Sequence, residues 1–216
     1  MNDHILTLAR EYAPCYLYEY DVMKQRVETL RQTFPQYDLL YSIKANPFPP
    51  VVRALAGLGL GADAASAPEV LLSRKCGMAK ADIFFSAAGK SDAALEATWD
   101  EGEIIADSLG EVERIGALCE AKGQHRAIGV RMNPGFGMGG TVGGPSKFGI
   151  NEEDLPQLKA LLDTLPAIIG HTHAAAEVDI THPAVQGGLH PLGQRPAVPV
   201  AAAQHVSSAS TRRICP

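Results

Sequence analysis

The chain has 216 residues, of which 46% are apolar, and this length and composition suit a globular domain with a sizeable core. A formal net charge of -5 excludes the basic face that nucleic-acid binding requires, and no apolar run approaches the roughly 20 residues that cross a bilayer. The first residues lack a signal-peptide pattern, and the four cysteines lack the spacing of a disulfide framework or a zinc site. The sequence therefore predicts a cytoplasmic protein that binds neither nucleic acid, nor membrane, nor metal.

Residues 1–36 are predicted to form an amino-terminal arm. The stretch "CYLYEY" (15–20) has a strand-like pattern, and a helical segment follows it to about residue 34. Because the arm precedes the repeating units that begin at residue 38, we expect it to be separate from them.

Six β-prone runs alternate with helix-patterned segments between residues 38 and 173. Their starts lie 23, 21, 21, 23 and 41 residues apart, and a step of about 20 residues is that of a (β/α)8 barrel. An open doubly wound sheet uses the same unit, so it stays possible on spacing alone. The predicted strands are 38–45, 61–66, 82–87, 103–108, 126–133 and 167–173.

Helix-capping patterns follow several of these strands. Ser66 with Glu69, and Ser108 with Glu111, both have the S-x-x-E spacing of a capping box. Asn151 is a candidate cap for the helical segment after it. These patterns support the predicted order of strands and helices.

The last 43 residues, 174–216, differ in composition from the rest. They are rich in Ala, Pro, Gln, His and Ser and have no sustained period of 2 or 3.6 residues, which predicts an irregular tail. Six strands also leave a barrel two strands short. The predicted fold is therefore an incomplete (β/α)8 TIM barrel of the α/β class over residues 37–173, followed by a divergent tail.

Polar residues stand at the carboxyl end of each predicted strand, where the active sites of such folds lie. Taken singly, each has a structural explanation: a solvated end charge, a helix cap, an ion pair of Arg131 with Asp107 or with Asp63, or a core histidine. Their joint placement on six successive strands favours a small-molecule active site instead. The residues at this predicted rim are Lys44, Asn46, Asp63, Ser66, Lys90, Asp107, Arg131, Asn133, His171 and His173.

The glycine-rich stretch "GFGMGGTVGG" (135–144) lacks the sequence context of a phosphate-binding loop. We expect it to be a flexible loop over the mouth of the barrel, where substrate enters.

Six motifs, in order, resemble the fold-type III pyridoxal-phosphate decarboxylases, a family that includes diaminopimelate, ornithine and arginine decarboxylases. The diaminopimelate branch is the nearest, and the likeness runs from about residue 12 to residue 173. Alanine racemases share the barrel and its lysine, but their lysine motif continues into a Tyr-Gly-His sequence that "KANPFPP" lacks. The motifs are "YSIKANP", "GLGADAASAPEV", "FSAAGKS", "IIADSLGEVERI", "VRMNPGF" and "SKFGI".

The resemblance implies an alanine-racemase-like barrel that binds pyridoxal phosphate. By this likeness Lys44 is the catalytic residue that forms the internal Schiff base, and Asp63 and Glu69 match an acidic pair near it. Arg131 matches a residue that supports the cofactor-stacking histidine, and His173 matches that histidine. The implied activity is decarboxylation of an amino acid, diaminopimelate or another basic one, in lysine biosynthesis or a side pathway.

The likeness ends at His173. The family's phosphate loop, the acid that pairs with the pyridine nitrogen and the second domain have no counterpart in the tail. One hypothesis is a decarboxylase whose chain is truncated or frame-disrupted; the alternative is a catalytically inactive remnant or partner-binding fragment. The homodimer common in the family is not expected without the second domain.

Overall fold

The computed structural model of the protein describes residues 3–133, 148–165, 168–173 and 213–214; for residues 3–4, 168–173 and 213–214 it describes the backbone. The described helices are α1 Asp3–Tyr12, α2 Tyr20–Thr33, α3 Pro49–Gly57, α4 Ala67–Lys75, α5 Asp92–Ala97, α6 Leu109–Lys122 and α7 Leu155–Thr164. The described strands are β1 Asp38–Ser42, β2 Gly61–Ala64, β3 Ile83–Phe85, β4 Glu103–Ala106, β5 Arg126–Asn133, β6 Ile150–Asn151, β7 Ile168–His173 and β8 Arg213–Ile214.

The described strands form one sheet in which every paired neighbour is parallel. The order is β6-β5-β4-β3-β2-β1-β8, and β7 pairs with β5. Strands β1 to β5 lie side by side in chain order, as in a barrel, whereas the strand order of a doubly wound sheet reverses. The predicted incomplete α/β barrel is therefore confirmed.

The six predicted strands are all present, and most are shorter than predicted. The run 38–45 divides into β1 and a 3-10 turn, Ile43–Ala45, so Lys44 follows the strand instead of ending it. Two strands of two residues each, β6 and β8, have no counterpart in the prediction, because such short segments show no periodicity. β8 comes from the predicted irregular tail and pairs with β1.

Both faces of the sheet are buried. Ile83 and Phe85 belong to a cluster that packs the sheet against α3 and α4, whereas Phe84 belongs to a separate cluster with Leu40 and Ile105. Successive strand residues point to opposite faces, so the second cluster lies on the inner side of the curved sheet. Burial on both faces explains why these strands read as continuous apolar runs.

The amino-terminal arm differs from the prediction. Residues 13–19 lie between α1 and α2 in neither helix nor strand, Tyr16 is 91% exposed, and α2 begins at Tyr20. The predicted strand over 15–20 is therefore wrong: the stretch pairs with no strand in the described part of the chain. The α2 helix packs Val27 against Leu39 of β1, so this half of the arm adheres to the barrel.

Of the three predicted helix caps, one is formed through its side chain and two are not. The Ser108 Oγ accepts a hydrogen bond from the Glu111 backbone N–H at 3.3 Å, as predicted. Ser66 makes no side-chain cap to α4, although it stands at the N-cap position. Asn151 precedes a 3-10 turn, Glu152–Asp154, and does not cap it through its side chain; α7 begins only at Leu155.

Two sequence predictions fall on residues outside those described. The loop predicted over 135–144 is one. The other is the tail, of which only 213–214 are described. Among the residues that the structure does describe, no helix is long and apolar enough to span a membrane.

Candidate functional site

The carboxyl ends of parallel strands β1 to β5 lie at the same edge of the sheet, and we call this edge the rim. Lys44 follows β1, Asp63 is on β2, Glu69 is in the first turn of α4, and Arg131 is near the end of β5. The fold therefore brings these four predicted residues to one side of the barrel, each from a different element.

Lys44 is exposed on the turn after β1. Ile43 beside it is completely buried and anchors the turn in the core. The Asn46 Oδ1 accepts a hydrogen bond from the Phe48 backbone N–H at 3.1 Å, and Pro49 then begins α3. Because a proline fits the first turn of a helix but donates no backbone hydrogen bond, the chain turns here and presents the lysine at the surface.

The amino-terminal arm contacts this turn. The Asn46 Nδ2 donates to the Tyr18 hydroxyl at 2.9 Å, and the rings of Tyr18 and Phe48 lie 5.9 Å apart. The Tyr41 hydroxyl donates to the Asn46 backbone oxygen at 3.3 Å. Burial raises the pKa of Tyr41, and the nearby Tyr18 adds to the rise, so Tyr41 stays a neutral donor.

Asp63 is held between two hydroxyl groups. It pairs in register with Ser42 of β1, whose Oγ donates to the Asp63 Oδ2 at 3.2 Å. The Ser86 Oγ, just after β3, donates to the Asp63 Oδ1. The carboxylate is thus fixed between β1 and β3. Neither serine is predicted as a site residue from the sequence. The signal that could have identified them is a polar residue in each neighbouring apolar run, about one βα step from Asp63.

Glu69 is half-buried and takes part in the start of α4. Its Oε2 accepts the backbone N–H of Ala65 at 2.7 Å, one residue before the N-cap. This contact ties Glu69 to the segment before the helix. It differs from the predicted capping box, in which Glu69 would accept the N–H of Ser66 itself.

Arg131 is clamped between an acid and a ring. Its Nη1 lies 3.4 Å from the Oδ1 of Asp107, one of the two acids that the sequence offers as its partner, and its Cζ lies 4.7 Å from the centre of the Phe148 ring. A guanidinium pairs with a carboxylate and stacks on an aromatic face at the same time. Arg131 thus presents a fixed positive charge at the rim.

His173 ends β7. In the parallel pairing of β5 with β7 its backbone lies opposite Arg131. The structure describes the backbone of His173, and its side chain lies outside the described part.

Lys90 differs from the prediction. The sequence places it at the open rim, but its side chain is 0% exposed. Its Nζ donates to the Ala87 and Ile105 backbone oxygens and to the Glu111 Oε1, each at 2.6 Å. Burial lowers the pKa of Lys90 and raises the pKa of Glu111, while their mutual attraction opposes both shifts. The expectation of an open Lys90 is therefore wrong, because Glu111 and two carbonyl groups enclose it.

The described residues contain no group of three or more His, Cys, Asp or Glu side chains that could hold a metal ion. The chemistry available at the rim is that of an exposed amine, a fixed carboxylate and a fixed guanidinium.

Comparison with known proteins shows what this arrangement belongs to. The model of a family described as "Pyridoxal-dependent decarboxylase, pyridoxal binding domain" matches residues 20–174. L-glutamyl-[BtrI acyl-carrier protein] decarboxylase of Niallia circulans is 32% identical over 72% of this chain and 37% of that protein. Diaminopimelate decarboxylase of Aquifex aeolicus is 31% identical over 56% of this chain and 29% of its own length.

Solved structures give the same result for the fold. A structure from Aquifex aeolicus has 27% identity and a TM-score of 0.67, covering 82% of this chain and 43% of that one. Diaminopimelate decarboxylase from Helicobacter pylori, complexed with L-lysine, has a TM-score of 0.68 at 22% identity, covering 81% and 46%. The chain thus spans less than half the length of these relatives. Over that span, it belongs to the pyridoxal-dependent decarboxylase family and corresponds to the family's pyridoxal binding domain.

Proposed function

We propose that this chain holds pyridoxal phosphate through Lys44 and serves the decarboxylation of an amino acid. The observation that carries the proposal is the exposed amine of Lys44 directly after β1, in a chain of the pyridoxal-binding family. Residues 37–173 are the proposed cofactor-binding unit, with the arm 1–36 before it and the tail 174–216 after it.

The residues at the rim fit the cofactor in their chemistry. Covalent attachment needs a reachable amine, which Lys44 supplies. Asp63 is a carboxylate fixed on the neighbouring strand, and Arg131 is a fixed cation paired in register with the His173 backbone. We propose that Lys44 anchors the cofactor, that Asp63 and Glu69 supply negative charge near the anchor, and that Arg131 supports His173 against the ring.

Bound pyridoxal phosphate supplies an electron sink for the charge left on the α-carbon when carbon dioxide departs. The protein has to orient the substrate and control charge at the rim. Asp63 is suited to attract the ammonium group of an amino acid, since a carboxylate and an ammonium group stabilise each other's charged forms.

The proposed substrate is diaminopimelate or another basic amino acid. The named diaminopimelate decarboxylases among the relatives support this choice. The relative from Niallia circulans, named for a glutamyl group on a carrier protein, shows that related chains also act on other substrates.

The proposal is tested by the release of carbon dioxide. The purified chain is supplied with pyridoxal phosphate and, in separate reactions, with diaminopimelate, ornithine, arginine or lysine. We expect release from one of these substrates, and none from Lys44→Ala. Lys159→Ala, which removes an exposed lysine of α7, is the matched control and should keep the activity.

Two results would contradict the proposal. One is a folded chain that releases carbon dioxide from none of the substrates. The other is a Lys44→Ala variant as active as the wild type. A chain that attaches the cofactor at Lys44 and yet releases no carbon dioxide would be the inactive remnant of the alternative hypothesis.

A further inference from the structure

We propose that Lys90, together with Glu111, is a positioning residue for the cofactor site, and that it acts through Asp107 on Arg131. The inference rests on the proposed function for its effect on the cofactor, whereas its effect on Arg131 can be measured without any cofactor. Lys90 is buried and does not reach the rim itself, so it is not a catalytic residue.

Lys90 joins three groups from different parts of the chain. An ammonium group has three N–H donors. All three are used, on the Ala87 carbonyl after β3, the Ile105 carbonyl in β4 and the Glu111 carboxylate in α6. One buried charge thus connects three consecutive segments where they approach the rim.

Asp107 connects the surroundings of Lys90 to the rim. Asp107 lies two residues after Ile105, whose backbone oxygen accepts from the Lys90 Nζ. Its side chain, 9% exposed, pairs with the Arg131 Nη1 at 3.4 Å. Both Asp107 and Arg131 act electrostatically on Lys90. The link thus runs from Lys90 to Ile105, along β4 to Asp107 two residues later, and from Asp107 to Arg131.

Lys90 and Glu111 form a buried pair of charges. A buried ion pair is weak support for stability, because well-packed apolar residues of similar volume often serve as well or better. The Lys90 and Glu111 side chains are 0% and 1% exposed, so water does not solvate their charges. An apolar pair could not hold the Ala87 and Ile105 carbonyl groups in fixed places, and the position of Ile105 sets where the Asp107 carboxylate lies.

The test separates stability from position. The double variant Lys90→Met/Glu111→Gln removes both buried charges at nearly constant volume, so the folded chain is not left with an unpaired charge. The matched control, Lys159→Met/Asp163→Asn, neutralises an exposed pair with the same 2.6 Å separation. Urea unfolding, the side-chain NMR signal of the Arg131 Nε–Hε group, assigned with Arg131→Lys, and titration with pyridoxal phosphate are measured for each.

We expect the double variant to stay folded but to unfold at a lower urea concentration than the wild type, because two carbonyl groups lose their donor, and to shift or broaden the Arg131 signal. Its dissociation constant for pyridoxal phosphate should rise roughly twofold to fivefold, the scale of a partly exposed ion pair. The control should change neither quantity. A double variant with the native Arg131 signal and the native dissociation constant would overturn the proposal, because Lys90 would then be structural only.

A further variant keeps the test decisive if the double variant does not fold. Asp107→Asn leaves Lys90 and Glu111 intact and weakens the contact to Arg131, so it should change the Arg131 signal in the same way. An unchanged signal in that variant would also overturn the proposal. If the wild type binds no pyridoxal phosphate and the Arg131 signal depends on Lys90, the positioning role stands and the proposed function fails.

Discussion

Lys44 and Lys90 stand at corresponding places in two βα units and have opposite surroundings. Lys44 lies on an exposed turn after β1, whereas the Lys90 side chain, after β3, is 0% exposed and donates to three oxygens. The difference comes from the neighbours of each lysine. Asn46 and Pro49 turn the chain after Lys44 at the surface, while Glu111 of α6 closes over Lys90.

On the proposed function, one architecture supplies both a reactive lysine, Lys44, and a buried positioning lysine, Lys90. A reactive amine must be reached by its partner and must lose its proton, so it lies at the open rim. A buried ammonium is tolerated only when its donors are all paired. Substitutions at the two lysines and at the helix caps test whether this division holds, from the largest expected effect to the smallest.

The largest effect is expected from Lys90→Met alone. The change leaves the Glu111 carboxylate buried without its cation, and breaking one side of a buried pair typically costs about 3–5 kcal/mol. Urea unfolding measures the loss. Lys159→Met, at an exposed lysine, is the control and should change the free energy of unfolding by less than about 0.5 kcal/mol. Equal losses in the two variants would mean that burial does not distinguish these lysines.

The loss in Lys90→Met should depend on pH. Burial already raises the pKa of Glu111, and removal of the lysine raises it further. A carboxyl whose pKa is raised on folding destabilises the protein fully above that pKa, and the loss disappears as the pH falls towards the unfolded-state value of about 4.3. We therefore expect the difference from the wild type to shrink as the pH falls towards that unfolded-state value. Lys90→Met/Glu111→Gln, which lacks the carboxyl, should show no such trend, and a loss that grows towards acid pH would contradict the account.

The two capping boxes offer a matched pair of smaller changes. The Ser108 Oγ accepts the Glu111 N–H, so Ser108→Ala should cost about 1 kcal/mol. Ser66 makes no side-chain cap, so Ser66→Ala should cost less than about 0.5 kcal/mol. Thermal unfolding of the two variants side by side measures both, and a larger loss for Ser66→Ala would show that its box is formed after all.

The smallest effect on stability is expected from Lys44→Ala. The side chain is exposed on the turn, so the free energy of unfolding should change by less than about 0.5 kcal/mol, while attachment of pyridoxal phosphate at this position is abolished. Urea unfolding together with the absorbance of added cofactor measures both quantities. A large loss of stability would mean that Lys44 belongs to the core arrangement, as Lys90 does.

The sequence predicts the fold well because parallel strands buried on both faces leave long apolar runs at regular steps, as in "DIFFSA" around Phe84. It predicts Asp63 and Arg131 at the rim for the same reason, since strand ends follow from strand positions. It could not place Lys90, because the group that buries it, Glu111, lies in a different unit and looks like a helix cap. The strand-like pattern of "CYLYEY" does not produce a strand. A strand also needs a neighbouring strand as its partner, and a local sequence pattern does not show whether one is present.

The most direct test of the account is to find which lysine the cofactor modifies. The folded wild-type chain is incubated with pyridoxal phosphate, reduced with borohydride and digested, and the modified peptide is identified by mass spectrometry. The account predicts the label on the peptide that contains Lys44, with Lys90 unmodified. A label on Lys90, or a folded chain in which Lys44 stays unmodified, would contradict it.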